Sequence, residues 1–351
     1  MTCTCYYLGG MDKVGRKIGL GVLGAGRQGR IHINNIARMI PQAKLVAVAD
    51  PNRENLSRLG VEGVRLCEDS SEIFNDSSIE AIVIASSTDS HEEMILRACR
   101  TKKHVFCEKP LALQIEVIDR CLDEVKNSGI KFMMGFNRRF DPSLAKIRAM
   151  VAEGKIGRPE IIAITSRDPN PPHLEYLKVS GGIFFDTTVH DFDMARYIMH
   201  DEIDEVYATG NNLFSDEIKA CGDLDTAITL LKFKKGALGS INNSRRAVYG
   251  FDQRVEVFGS KGLLTAHNVK ETHVEHKDGN GCHMDKHLYF FTERYQESYL
   301  YEIMHFIDAL LNNTEMPVTG RDAKISVLLS MAAKKSFEEN RPVKVDYSSV
   351  S

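Results

Sequence analysis

The chain has 351 residues, 43% hydrophobic and 26% charged, with 45 Lys and Arg against 48 Asp and Glu and a formal net charge of −3. The length exceeds the roughly 100–200 residues of one domain and points to two, while the near-neutral balance excludes the broad basic field that draws nucleic acids or anionic membranes and leaves a small molecule as the expected partner. Eight cysteines scattered singly exclude the disulfide framework of small secreted domains, and no run reaches the ~18 apolar residues of a membrane span, so the expected location is the cytoplasm.

The first 16 residues are polar and contain glycine, and they read as a loose extension without chemistry. Cys3 and Cys5 form a C-x-C whose second half is missing, so no zinc site is expected there. From Lys17 to Phe136, short apolar runs alternate with longer amphipathic ones, the pattern of βαβ units. The strands are expected at Lys17–Leu23, Lys44–Ala49, Val64–Cys67, Ala81–Ala85, His104–Cys107 and Lys131–Met134. Helices are expected at Arg30–Met39, Glu92–Arg100 and Ile115–Asn127. Right-handed crossovers then give an α/β fold with a doubly wound, Rossmann-type parallel sheet at residues 17–136, its binding crevice at the carboxyl ends of the strands.

The first strand runs straight into Gly24-Ala25-Gly26-Arg27-Gln28-Gly29 and a helix. Between a strand and a helix, those glycines permit a tight turn and close approach of the backbone to a pyrophosphate, whose charge the N–H groups and dipole at Gly26–Gly29 hold. The second strand ends at Asp50, about 20 residues on, where a carboxylate accepts both ribose hydroxyls and repels a 2′-phosphate. NAD is therefore the expected cofactor, with Arg53 the residue that could ease NADP binding.

After Gly135 the alternation stops. A helix near Pro142–Glu153, a Pro-rich Asp168–Pro172, a Gly-Gly and a helix through Met199 precede β-like runs at Glu205–Ala208, Thr226–Phe233, Ala237–Ile241, Arg254–Phe258 and Thr272–Glu275. Their short spacing and Gly-containing turns predict a mostly antiparallel open sheet. Helices at Glu293–Leu311 and Asp322–Asn340 close the chain, Thr319 and Asp322 making a capping box. Residues 137–351 therefore read as an α+β domain for substrate binding and oligomerisation.

The fifth strand delivers His104-Val105-Phe106-Cys107-Glu108-Lys109-Pro110, and here the chain resembles the glucose-fructose oxidoreductase, inositol dehydrogenase and rhizopine catabolism family, whose signature is Glu-Lys-Pro. Gly181-Gly182-Ile183-Phe184-Phe185-Asp186-Thr187-Thr188-Val189-His190-Asp191 is similar to that family's second motif, and Gly135–Asp141 and Ser166–Pro172 also resemble its inositol dehydrogenase branch. The resemblance spans Ile18 to Pro342. It implies a dehydrogenase that takes myo-inositol to 2-keto-myo-inositol, built as a homodimer or homotetramer. Another sugar as substrate, or a silent dinucleotide-binding regulator, are the alternatives.

Oxidation of a secondary alcohol needs a hydride acceptor, a base for the hydroxyl proton and a cation to steady the alkoxide. Lys109, at a strand's carboxyl end and followed by Pro110, is the expected cation. Glu108 is expected to orient it or to touch the cofactor. Asp186 and His190 are four residues apart, so on a helix they share one face, where the carboxylate orients the imidazole as general base. The same pair lacks a third ligand at metal-binding spacing, so no metal is expected. The resemblance further implies substrate contacts from Asp168, Asn170, Tyr249 and Tyr299, and cofactor contacts from Ser87, Thr88 and His91, where a plain helix cap by Ser90 is the competing reading. Tyr249 and Tyr299 could equally be packing residues.

Overall fold

A computed structural model describes residues 15–350; the Cys3–Cys5 reading and most of the expected extension lie outside the described residues. The chain divides into two compact units, the first made of residues 15–112, 117–135 and 299–319, the second of 113–116, 136–298 and 320–350. Tyr299–Thr319 groups by compactness with the first unit, whereas the sequence reading placed all of residues 137–351 together.

In the first unit the strands are β1 (Ile18–Leu23), β2 (Ala43–Ala49), β3 (Arg65–Cys67), β4 (Ala81–Ile84), β5 (His104–Glu108) and β6 (Phe132–Gly135), in the order β3-β2-β1-β4-β5-β6. All neighbours pair in parallel, and the order reverses direction between β1 and β4, which puts a crevice at the carboxyl ends of those two strands. The crossovers carry α1 (Arg27–Arg38), α2 (Arg53–Ser57), α3 (Ser71–Asn75), α4 (His91–Arg100) and α5 (Ile115–Ser128). Helices on both faces explain why every residue of β1 and β4 is buried. Helix α1 begins at Arg27, not at the expected Arg30, so its first turn lies inside the glycine motif. The late segment joins this unit through the Met134 N–H to the Val318 carbonyl at 3.2 Å and an edge contact of Phe106 with Phe306.

The second unit holds α6 (Pro142–Ala152), β7 (Pro159–Arg167), α7 (Leu174–Leu177), α8 (Ile183–Asp186), α9 (Thr188–Met199), β8 (Ile203–Asn211), α10 (Asp216–Ala220), β9 (Thr226–Phe233), β10 (Leu238–Ser244), β11 (Asp252–Gly259) and β12 (Gly262–Ala266). After a hairpin of β13 (Glu275–Asp278) and β14 (Gly281–Met284) come α11 (Phe291–Arg294), α12 (Gln296–Leu311), which runs on into the first unit's late segment, α13 (Gly320–Glu339) and β15 (Val343–Lys344). The large sheet has the order β12-β11-β7-β10-β9-β8-β15. It is antiparallel except where β7 pairs with β10. Alternation along β7, β9 and β11 buries one set, including Ile162, Ile164, Leu231, Val255 and Val257, beneath α9 and α13.

Two expectations needed correction. The central strand β7 was not foreseen, because Pro159 and Gly157 mark a turn and the run Ile161-Ile162-Ala163-Ile164 hides its alternation. The strand expected at Thr272–Glu275 starts at Glu275 instead and belongs to the exposed hairpin.

Candidate active site

The glycine turn is built around Asp50. Gly24 adopts φ +95°, and a Cβ on it would lie 2.6 Å from the Ala85 carbonyl; a Cβ on Gly29 would lie 2.0 Å from the Gly24 carbonyl. Both positions exclude larger residues. Nothing lies within 4 Å of a Cβ built on Gly26, which starts α1 without a side-chain cap, and the first turn holds no acid. The first N–H groups of a helix have no intrahelical partner, so those of Arg27–Gly29, beside the uncrowded Gly26, suit a pyrophosphate. Asp50 is 6% exposed. It accepts the Ala25 N–H at 2.6 Å and the Asn52 N–H at 2.8 Å, with Asn55 Nδ2 within 3.2 Å. Its carboxylate fastens the turn to β2. Arg53 pairs with Glu68 at 2.8 Å on the exposed surface, where such a pair contributes little.

Lys109 is half-buried and leaves the carboxyl end of β5 through a cis peptide to Pro110. Glu108 does not reach outward as a cofactor contact would. It is buried and accepts from His32 Nε2 of α1 at 2.7 Å. His91 is 1% exposed, its ring nitrogens 3.0 Å from the Pro110 carbonyl and 3.2 Å from the Ser86 carbonyl. Burial lowers its pKa, so a neutral ring donates to one carbonyl at a time and braces the turn after Lys109. Ser87 is exposed and Thr88 half-buried at the 3₁₀ turn before α4. Ser90 makes no side-chain cap of α4; its hydroxyl donates to the Ser87 carbonyl at 2.8 Å. Tyr299 is buried with its ring edge-on to His32 at 5.8 Å.

In the second unit, Asp186 ends α8 and His190 stands in the first turn of α9, with Thr187 interrupting the helix between them. The single continuous helix that the spacing suggested is therefore broken. Asp186 accepts from Tyr176 Oη at 2.8 Å and from Arg245 Nη1 at 3.0 Å. Arg245 is wholly buried and also holds Asp223 at 2.9 Å, whose other oxygen accepts the Ile183 N–H that opens α8. The Asp168 N–H donates to the Ser244 carbonyl, next to Arg245, at 3.0 Å. Burial, reinforced by Asp186, pushes the Tyr176 hydroxyl well above its ordinary range, which keeps it a neutral donor. The His190 ring meets Phe136 edge-on at 6.1 Å. Asn170 donates to the Tyr289 hydroxyl. Tyr249 donates to Asp252 at 2.6 Å and accepts from Arg167 at 3.1 Å.

Two sequence models match these units: "Oxidoreductase family, NAD-binding Rossmann fold" over residues 18–136 and "GFO/IDH/MocA C-terminal domain" over residues 144–265. The chain belongs to the GFO/IDH/MocA oxidoreductase family. It is 49% identical to myo-inositol 2-dehydrogenase of Thermotoga maritima over 93% of this chain and 98% of that one, and 40% identical to inositol 2-dehydrogenase of Rhizobium meliloti over 93% and 98%. A crystal structure of scyllo-inositol dehydrogenase from Lactobacillus casei with bound NAD(H) and scyllo-inositol is also similar, with a TM-score of 0.87 and 31% identity over 94% of this chain and 99% of that chain.

As a member of this family the chain is an NAD-dependent oxidoreductase, and the open space over Gly26 and the placement of Asp50 fit that cofactor. Three features of this GFO/IDH/MocA chain escaped its sequence: the Arg245 pairing with Asp186 and Asp223, the donor Tyr176, and the His32–Glu108 contact. Their partners lie 59, 22, 10 and 76 residues apart, beyond any local pattern. The run Asn242-Asn243-Ser244-Arg245-Arg246 at the end of β10 was the one available hint.

Proposed function

We propose that this protein oxidises one secondary hydroxyl of a neutral, polyhydroxylated ring, with myo-inositol the favoured substrate. The observation that carries this is how the second unit uses its arginines. Arg138 is buried against Asp191, Arg139 chelates Asp193 and also meets Asp322, Arg245 holds Asp186 and Asp223, and Arg167 bonds Asn242 and Tyr249. Arg138, Arg139 and Arg245 are committed to carboxylates and Arg167 is held by the neutral Asn242 and Tyr249, so three of these four guanidinium groups are closed to a substrate carboxylate or phosphate, whereas Asp168, Asn170, Tyr249 and His190 offer hydrogen bonds suited to hydroxyls. The names of the relatives agree.

Bound NAD supplies the hydride acceptor. The N–H groups of Arg27–Gly29 would hold its diphosphate and Asp50 its ribose. His190 takes the hydroxyl proton, Asp186 orients and stabilises the charged imidazole, and Lys109 steadies the negative charge that develops on the oxygen. Tyr176 and Arg245 fix Asp186 in turn. Reduction of NAD followed by absorbance across cyclitols, aldoses, sugar acids and sugar phosphates tests the substrate. Cyclitols should lead, and each removed hydroxyl should cost ~1–3 kcal/mol in kcat/KM because buried polar groups lose their partners. Much faster turnover of sugar acids or phosphates overturns the assignment.

A homo-oligomer is part of the same reading. On the open face of the large sheet, Leu263, Phe258, Ile161 and Leu238 stand opposite one another on four adjacent strands, each 45–53% exposed. Such an apolar row calls for a partner, and a second copy with the same row satisfies it. The thiols of the six described cysteines are free, which supports a reducing, cytoplasmic setting.

A further inference from the structure

In the first unit, α1, β5 and α12 bring His32, Glu108 and Glu302 together, with one nitrogen and two carboxylate oxygens all within 4.8 Å of one another. His32 Nε2 lies 2.7 Å from Glu108 Oε1 and 4.0 Å from Glu302 Oε1. His32 and Glu302 are 0% exposed, and neither oxygen of Glu302 has a hydrogen-bond partner. Phe106 and Tyr299 close around the imidazole, their ring centres 5.3 and 5.8 Å from it.

We propose that Glu302 is held as a neutral carboxylic acid, and that with His32 it is a positioning residue that sets Glu108 and so the direction in which Lys109 leaves β5. Two carboxylates this close in the core disfavour each other's ionisation. Glu108 receives the imidazole N–H, whereas Glu302 receives no donor, and an ionised carboxylate in that state is costly to bury. Burial, and then the charge of Glu108, push the Glu302 carboxyl well above the ordinary range. The titratable groups around it are Glu108 from β5, His32 from α1, and Tyr299 and His305 one turn before and after on its own helix. Glu108 immediately precedes Lys109, so a shift of the Glu108 carboxylate is passed to the lysine through one backbone unit. The functional half of this inference rests on the role given to Lys109 above; the protonation of Glu302 does not.

The test uses the full-length protein with NAD and the variants E302Q, E302A and H32A. At neutral pH the wild type should show the infrared carbonyl band of a protonated carboxylic acid, which E302Q removes. The native state keeps the Glu302 proton while the unfolded chain loses it above its ordinary pKa of 4.5, so wild-type stability falls as pH rises through this window. E302Q cannot ionise, and its melting temperature should overtake the wild type's progressively as pH increases. E302A and H32A should lower kcat about tenfold or more with little change in KM for NAD, and E302Q should restore most of it. No protonated-acid band, with melting curves that stay parallel across pH, overturns the neutral acid. So does a stoichiometric divalent metal in the purified protein that E302Q removes. Wild-type kcat in E302A overturns the positioning role. If K109A keeps full turnover, the reading of Lys109 fails while the infrared and melting results still decide Glu302.

Discussion

Asp50 already accepts the Ala25 N–H at 2.6 Å, so its removal should loosen the glycine turn as well as the ribose contact. D50A is expected to weaken NAD binding and to narrow a preference over NADP of at least about tenfold, or ~1.4 kcal/mol; kcat/KM with both cofactors checks this, and an unchanged ratio counts against it. His190 carries a sharper expectation. H190A should lower kcat by a factor of ~10²–10⁴ while NAD still binds by fluorescence titration. The loss in the H190A/K109A double variant should fall short of the product of the two single losses, since both are assigned to one hydroxyl. Near-normal turnover of H190A would move the base elsewhere. At this scale the places of Asp50 after β2, Lys109 after β5 and His190 in α9 were legible from the motifs, whereas the inward turn of Glu108 was not, because its partner His32 sits 76 residues away.

Helix α8 is four residues long and cannot stand on propensity alone. Asp223 accepts its first N–H, and Arg245 ties Asp223 to Asp186 at its other end, so one buried ion triad holds the segment that presents Asp186. R245A leaves two carboxylates without their shared cation in a buried place. It should cost ~3–5 kcal/mol of stability in denaturant unfolding and should also reduce kcat, since Asp186 loses its orientation. R245K should recover part of the stability but less of the activity, because an ammonium cannot span both carboxylates as the planar fork does. Equal behaviour of R245A and wild type in both measurements would remove the triad from the account. The periodicity of α9 was readable in advance, but the break at Thr187 was not.

The open face of the large sheet gives the prediction at molecular scale. F258D with L238D places charges in the middle of the apolar row, on positions already exposed in one chain, so folding should persist while light scattering reports a smaller particle. An unchanged mass would place the contact between copies elsewhere. The alternation of Gly-rich turn, apolar strands and amphipathic helices by itself determined the parallel sheet, its cofactor end and the position of Lys109, because each of these follows from neighbours in the chain. The tertiary structure decided the rest. That Tyr299–Thr319 returns to the first unit, that β7 runs parallel to β10 at the centre of its sheet, that the arginines are spent on carboxylates and that Glu302 faces Glu108 all depend on contacts between distant segments. Such contacts arise from burial and charge pairing after the elements have formed, and residue spacing along the chain carries no record of them.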